Sequence, residues 1–144
     1  MSAIPPELTA LFDAADTAEI KARAHARAGD ALELAVGWAG RVEKIDRDRA
    51  LPWSDRTVWN EHDLAGALFL RDFLQDALDD LPPPIRRKLT PFVEASDERF
   101  RGYTVDDPAG RMGTVAEVEL GGRAWWWRRV PDSGPIVEDL ARYS

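Results

Sequence analysis

One segment, residues 61–81 (EHDLAGALFLRDFLQDALDDL), limits the fold more than any other part of the chain. Its apolar residues recur at spacings of three and four, which predicts a long amphipathic helix with one buried face. The residues predicted to be buried are Leu64, Ala67, Phe69, Leu70, Phe73, Leu74, Ala77, Leu78 and Leu81. Asn60 is the predicted N-cap, and the prolines at 82–84 predict the end of the helix, because proline disfavours a helical residue before it.

Further helices are predicted on both sides of this segment. Asp30 opens a helix with a buried stripe at Ala31, Ala35, Trp38, Val42 and Ile45. Thr17 and Thr90 are predicted N-caps of two more, and Pro91 suits the first helical position after Thr90. A short helix led by Ser133 as cap closes the chain. These predicted helices cover residues 5–16, 17–28, 30–50, 91–103 and 133–143.

The region that breaks the helical pattern contains three consecutive tryptophans. The sequence TVAEVEL-GG-RAWWWRRV, with its Gly-Gly between alternating runs, predicts a β-hairpin within residues 112–131. Pairing across the turn would set Val118 opposite Trp125. Because side chains alternate between the two faces of a strand, Trp125 and Trp127 are predicted to face the helices.

In that register Trp126 and Arg128 point to the opposite face of the hairpin. Two interpretations remain open for Trp126. It packs under a loop or against Arg128 as a cation–π pair, or it is an exposed anchor for a partner, since tryptophan and arginine are enriched at binding hot spots. A slip of one residue in the register would exchange the two faces.

The predicted fold class follows from these elements. The chain of 144 residues has the commonest size for one domain. We predict a mainly α, single-domain helical bundle of about five helices (residues 1–144), with a C-terminal β-hairpin packed on it. Its helical part is 1–103, its hairpin 112–131 and its C-terminal helix 133–143.

Composition excludes several classes of function. A net charge of −7 and a pI near 4.8 argue against nucleic acid as a partner, because phosphate binding needs a basic surface. The sequence contains no cysteine, which excludes disulfides and thiolate chemistry. It shows neither a signal peptide nor a membrane-spanning run, so we predict a cytoplasmic protein. The excess of arginine over lysine indicates a GC-rich bacterial genome.

Four aspartates, which we call the acidic stripe, lie near the end of the long predicted helix: Asp72, Asp76, Asp79 and Asp80. Like charges at helical spacing repel, and a helix C-terminus disfavours negative charge. Such local conflicts often mark functional sites. Three interpretations remain open: a solvated face neutralised by Arg71, Arg86, Arg87 and Lys88; a docking surface for a basic protein; and a divalent-cation site.

No sequence motif of an enzyme is present. The metalloprotease, hydrolase, phosphate-loop and dinucleotide motifs are all missing, and no cofactor or metal is predicted. Of the two histidines, His25 has no ligand at a usable spacing, and His62 would need acid–base partners from elsewhere in the chain. Both are predicted to be ordinary surface residues.

Two classes of function are consistent with these features. The first is a non-catalytic interaction protein that binds a basic protein through the acidic stripe, Trp126 and Arg128. Immunity proteins and antitoxins neutralise basic toxins in this manner, an analogy of charge and size alone. The alternative is a small-molecule-binding or enzymatic domain with a pocket lined by Trp53, Trp59, Trp125 and Trp127. A homodimer formed through Trp126 and the apolar sides of the first helices is also left open.

Overall fold

α-Helices account for most of the chain in the computed structural model, which describes residues 4–24 and 29–143. Within those residues, seven α-helices, one 3₁₀ helix and two short strands form. The α-helices are α1 (Pro6–Thr9), α2 (Ala14–Ala22), α3 (Ala31–Asp48), α4 (Glu61–Asp80), α5 (Pro83–Tyr103), α6 (Arg111–Ala116) and α7 (Pro135–Leu140). The strands are β1 (Thr104–Asp106) and β2 (Arg129–Pro131), and the 3₁₀ helix is Trp125–Arg128. A mainly α fold with a C-terminal antiparallel pair of strands is therefore confirmed.

The chain divides into two compact units. The first comprises Met1–Gly40 and Leu70–Asp97, and the second comprises Arg41–Phe69 and Glu98–Ser144. The helices α3, α4 and α5 each contribute one part to the first unit and one part to the second. That the whole chain is a single domain stays a prediction.

The first unit has an apolar core with one polar group of residues inside it. Trp38, predicted to be buried, is fully inaccessible, and its neighbours Arg71 and Asp97 are buried as well. The apolar side chains of this core come from all five helices of the unit and include Leu8, Ile20, Leu34, Leu74, Leu81, Leu89 and Val93.

Two predicted helix starts in the first unit are wrong. Helix α2 begins after Asp13, whose side chain accepts from the backbone N–H of Asp16 at 2.7 Å. The side chain of Asp16 in turn accepts from the backbone N–H of Asp13, so a capping box fixes this start four residues before Thr17. Helix α5 begins at Pro83 and continues through Pro91 without a break, although Thr90 was the predicted cap. Thr90 instead donates its hydroxyl to the Arg86 carbonyl at 2.8 Å.

The second unit contains the strand pair. β1 pairs antiparallel with β2, with Val105 opposite Val130. Beyond the strands, the N–H of Asp107 donates to the carbonyl of Arg128 at 2.8 Å, which closes the chain between them into a loop. The core of this unit includes Val42, Ile45, Leu64, Leu68, Phe100, Met112, Trp127 and Leu140.

The hairpin is therefore placed differently from the prediction for residues 112–131. The glycines do make a turn, since the N–H of Arg123 donates to the carbonyl of Leu120 at 3.0 Å and Gly122 has a φ of 79°. The flanking segments, however, form α6 and the 3₁₀ helix instead of paired strands. A 3₁₀ helix turns by about a third of a circle per residue, which allows adjacent tryptophans to be buried together, as a strand does not.

The last helix agrees with its predicted range. α7 (Pro135–Leu140) lies within residues 133–143. Its N-cap is Gly134, at a φ of 99°, and Ser133 donates its hydroxyl to Asp132 instead.

Candidate functional site

The acidic stripe lies on α4 in the first unit. Asp76, Asp79 and Asp80 are exposed and Asp72 is half-buried. Helix α4 continues through Asp80, so the spacing of the four residues is helical as predicted. The structure therefore presents at least three of these carboxylates to solvent over little more than one turn.

Three of the four basic residues predicted to neutralise the stripe bind other groups. Arg71 is buried and donates two hydrogen bonds to the carboxylate of Asp97, at 3.0 and 2.9 Å. Lys88 donates to Asp16 at 2.6 Å, and this hydrogen bond lowers the pKa of Asp16. Arg86 turns towards backbone carbonyls. The interpretation of a face neutralised by its own sequence neighbours therefore loses most of its support.

Two carboxylates of the stripe have no cation beside them. In residues 4–24 and 29–143, Asp76 and Asp79 form no ion pair. Asp79 accepts one hydrogen bond, from the neutral amide of Gln75 at 2.9 Å. Asp80 lies 3.6 Å from Arg23, in a pair that solvent screens.

Arginines at the end of α4 explain how the helix tolerates aspartates there. Arg86 donates hydrogen bonds of 2.9 to 3.1 Å to the carbonyl oxygens of Leu78, Asp79 and Leu81. Arg23 donates to the carbonyl of Asp80 at 2.7 Å. Carbonyls at a helix end lack the usual partner one turn further along the helix, and cations beside them offset the negative end of the dipole. The helix end is thus stabilised through its backbone, while the carboxylates remain directed outward.

An aromatic side chain lies within the stripe. Phe73 was predicted to be in the core, but 51% of its surface is exposed. It sits at the outer margin of the apolar face of α4, three residues before Asp76 and seven before Asp80, on the same side of the helix. The outward face of α4 therefore combines an accessible ring with carboxylates.

Hydrogen bonds connect the stripe to the core of the first unit. The carboxylate of Asp97 accepts the indole N–H of Trp38 at 2.9 Å as well as the two bonds from Arg71. Arg71 also donates to the amide oxygen of Gln75 at 3.2 Å, and Gln75 donates to Asp79. The orientation of Asp79 is thus set by a continuous chain of side chains that begins at a buried tryptophan.

The exposed-anchor interpretation of Trp126 is wrong. Only 4% of Trp126 is accessible, because the 3₁₀ helix turns it inward together with Trp127. It packs edge-on against Trp125, with ring centroids 5.6 Å apart. Neither a partner nor a second copy of the chain can use Trp126 as a contact. Its predicted companion Arg128 is exposed but lies elsewhere, at the cleft described below.

Trp125 and Trp127 were both predicted to be buried, and the structure buries Trp127 fully and Trp125 in part. Trp127 is fully buried and packs against Phe69 at 4.9 Å. Trp125 is half-buried, and the guanidinium of Arg101 covers its ring at 3.8 Å. Arginine thus completes the packing of an aromatic side chain that the core does not enclose.

Trp53 and Trp59 lie on the loop between α3 and α4. Trp53 is 59% exposed, and its indole N–H donates to Asp139 at 2.8 Å. Trp59 is half-buried, and its backbone N–H donates to the buried carboxylate of Asp48 at 2.8 Å. Each tryptophan therefore has its own local partner.

A cleft of about 570 Å³ in the second unit is formed by α6, the turn after it and the 3₁₀ helix. None of the four tryptophans proposed for a pocket lines it. Its lining consists of Gly110, Gly113, Thr114, Glu117, Val118, Glu119, Leu120, Gly121 and Arg128. Sequence reasoning missed this cleft, because it depends on α6 ending at Glu117 in a left-handed conformation. The density of glycines over residues 110–122 was the available signal.

Of the two histidines, His62 lies within the described residues. His62 is exposed, with its Nε2 3.9 Å from the buried carboxylate of Glu61, which itself binds Arg142 at 2.5 Å. His25 lies outside the described residues. Within the described part of the chain, no group of three or more acidic or histidine side chains is arranged to hold a metal ion. Among the helices described, none has the length and apolar character needed to cross a bilayer.

Comparisons with known proteins give no relative for this chain: no family model, no curated protein and no solved structure matches it.

Proposed function

We propose that this protein is a non-catalytic interaction protein that binds a basic protein partner through the acidic stripe. One observation supports this most directly: three of the four cations expected to neutralise the stripe bind other groups, and Asp76 and Asp79 have no ion pair among the described residues. Outward carboxylates without local cations attract a basic surface and raise its rate of association.

The position of Phe73 suits this role. Charged rims supply steering and orientation, whereas affinity comes mainly from a few apolar or arginine contacts. Phe73 is 51% exposed and therefore offers an apolar contact next to the carboxylates of the stripe. The partner we propose therefore presents arginines or lysines around a shallow apolar depression.

The distribution of charge agrees with a docking surface in the first unit. By sequence this unit has twelve acidic and seven basic residues, whereas the second has fourteen and twelve. Most of the net negative charge therefore belongs to the unit that contains the stripe. The analogy with immunity proteins and antitoxins remains one of charge and size. We also propose a cytoplasmic location in a bacterium, because a cysteine-free, arginine-rich chain suits a reducing compartment and a GC-rich genome.

Capture of partners from a lysate of the native host tests the proposal. The tagged protein would be used at about 50 mM and about 500 mM salt, because electrostatic docking weakens as the Debye length shortens. The variant baits are Asp76→Asn with Asp79→Asn, and separately Phe73→Ala. The matched control bait is Glu94→Gln with Glu138→Gln, which removes two exposed carboxylates outside the stripe.

The expected result is one basic protein that both the wild type and the control retain at low salt. Each variant bait should lose at least about 90% of it, since each weakens binding by more than about 1.4 kcal/mol. A partner that all baits retain equally, or that resists high salt, would rule out docking through the stripe. If nothing is captured, titration of the purified protein with an oligo-arginine peptide supplies a direct measure of the same surface.

A further inference from the structure

The cleft of the second unit contains opposite charges that do not neutralise one another. Glu117, Glu119 and Arg128 are all lining residues of the cleft, and all three are exposed. In the described residues, no ion pair or side-chain hydrogen bond involves either carboxylate. Arg128 donates one hydrogen bond, from Nη2 to the carbonyl of Leu120 at 3.0 Å. Most of its five N–H donors remain available to a ligand.

The backbone at the cleft is held in a conformation that its residue disfavours. Glu117 has a φ of 56° and a ψ of 46°, a left-handed conformation that glycine usually supplies after a helix. The N–H of Val118 donates to the carbonyl of Gly113 at 2.9 Å, and the N–H of Glu117 donates to the carbonyl of Thr114 at 3.3 Å. These two bonds form the Schellman arrangement, in which the left-handed position is obligatory. A glutamate in this position lies at the cleft at the expense of local stability.

Small residues and one leucine form the base of the cleft. A methyl group added at Gly113 would lie 2.9 Å from Cγ of Leu120 and 3.0 Å from the carbonyl of Val118. Leu120 can therefore pack against α6 at this position only because residue 113 is a glycine. This fixes an apolar base below the charged rim, and a volume of about 570 Å³ lies within the range of small-molecule sites.

We infer that this cleft binds a small zwitterion, of the size of an amino acid or a dipeptide. A protonated amine would pair with Glu117 or Glu119, and a carboxylate would accept from the guanidinium of Arg128, which suits planar recognition of carboxylates. A ligand with one charge would pair with only one side of the rim. This site is distinct from the acidic stripe, and it does not depend on the function proposed above.

Titrations followed by nuclear magnetic resonance test the inference. The amide signals of Gly110, Gly113 and Gly121 report on the cleft, because glycine amides fall in their own region of a proton–nitrogen correlation spectrum. The probes are glycine, γ-aminobutyrate and ε-aminohexanoate, which differ in the separation of their charges. Butylamine, butyrate and butanol are the matched probes with one charge or none. We expect saturable shifts confined to the cleft, with at least one zwitterion binding about tenfold more tightly than either singly charged probe.

Substitutions at Glu117 separate binding from folding. Glu117→Gln keeps the backbone conformation and removes the charge, so it should weaken zwitterion binding about tenfold and leave the melting temperature unchanged. Glu117→Gly should weaken this binding at least as much and raise the melting temperature by a few degrees, because glycine relieves the left-handed strain. Arg128→Gln should remove the preference for the zwitterion over butylamine. Glu138→Gln, an exposed change outside the cleft, is the matched control.

Several results would overturn the inference. These are the absence of saturable shifts with every zwitterion, equal affinity for butylamine and zwitterions in the wild type, or unchanged affinity in a folded Glu117→Gly protein. Because that variant is expected to be more stable than the wild type, its loss of binding cannot be attributed to unfolding.

Discussion

The indole N–H of Trp38 donates a buried hydrogen bond of 2.9 Å to the carboxylate of Asp97, a residue far away in the sequence. The same carboxylate accepts two bonds from Arg71, and all three residues are buried. A charge in such a place is retained only when its partners are present, because the loss of hydration is large.

Removal of the carboxylate should therefore be strongly destabilising. We expect Asp97→Ala to lower the free energy of unfolding by about 3–5 kcal/mol, because it takes the carboxylate away from a buried guanidinium. Trp38→Phe, which removes the N–H donor but keeps most of the ring, should cost less, about 1–2 kcal/mol. Urea denaturation measures both values. A loss below about 1 kcal/mol for Asp97→Ala would contradict a buried ion pair.

The end of α4 should depend on Arg86. Arg86→Met retains the aliphatic stem but removes the donors to three carbonyl groups, so we expect a loss of about 1–2 kcal/mol. Arg86→Lys should recover part of this through its charge. Thermal unfolding compares these variants with Arg87→Met, a change of the same kind at a neighbouring exposed position.

The acidic stripe should carry a measurable cost in stability. Asp76 has like charges three and four residues away, at Asp72, Asp79 and Asp80. Asp76→Asn should therefore raise the free energy of unfolding by about 0.3–1 kcal/mol at low salt. The gain should shrink at high salt, and Glu94→Gln should show less of it. A stability lower than that of the wild type would show that the stripe is structural.

Acid should weaken a second cluster, around Asp46. Arg49 donates to this carboxylate at 2.6 Å and Arg99 donates at 3.1 Å, and both hydrogen bonds lower the pKa of Asp46. A carboxyl group with a lowered pKa stabilises the fold fully above its unfolded value of about 3.9, and this is lost as the pH falls through the folded pKa. Asp46→Asn should thus cost about 1 kcal/mol at neutral pH. The difference from the wild type should begin to shrink as the pH falls below about 3.9 in urea titrations.

Truncation of two tryptophans should destabilise the protein to very different extents. Trp126→Ala creates a cavity at a site that is 4% exposed and should cost about 3–5 kcal/mol. Trp53→Ala removes a mostly exposed ring and one hydrogen bond to Asp139, with a cost of about 1 kcal/mol. Equal losses in guanidinium denaturation would contradict the burial of Trp126.

Helical periodicity predicted the long elements well. The stripe of α3, from Ala31 to Ile45, is buried at every predicted position, because spacing alone decides which face of a long helix is apolar. At the margin of such a face, spacing does not determine whether a side chain is buried. Phe73 lies at this margin and outside the core. The prediction of a helix start at Pro91 is wrong, because α5 continues through this residue. Tertiary packing can outweigh the loss of one N–H donor.

The candidate sites were less accessible to sequence reasoning. The helical positions of the stripe could be predicted from spacing, but the engagement of Arg71 by Asp97 joins residues far apart in the chain. The tryptophan run failed for a different reason. The prediction that Trp126 is exposed assumed that side chains alternate between two faces, which holds only in a strand. Residues 125–128 form a 3₁₀ helix, so this alternation does not apply to them.

The hydrogen bond from the N–H of Asp107 to the carbonyl of Arg128 has a consequence for how this protein can diverge. It closes the segment that carries the cleft and joins the two ends of that segment. Substitutions at its exposed cleft positions, such as Thr114, Glu119 and Gly121, need not disturb the buried residues Met112 and Trp127, in the way that loops on a rigid scaffold tolerate variation. The chemistry of the cleft rim can then change while the buried part of the segment stays the same.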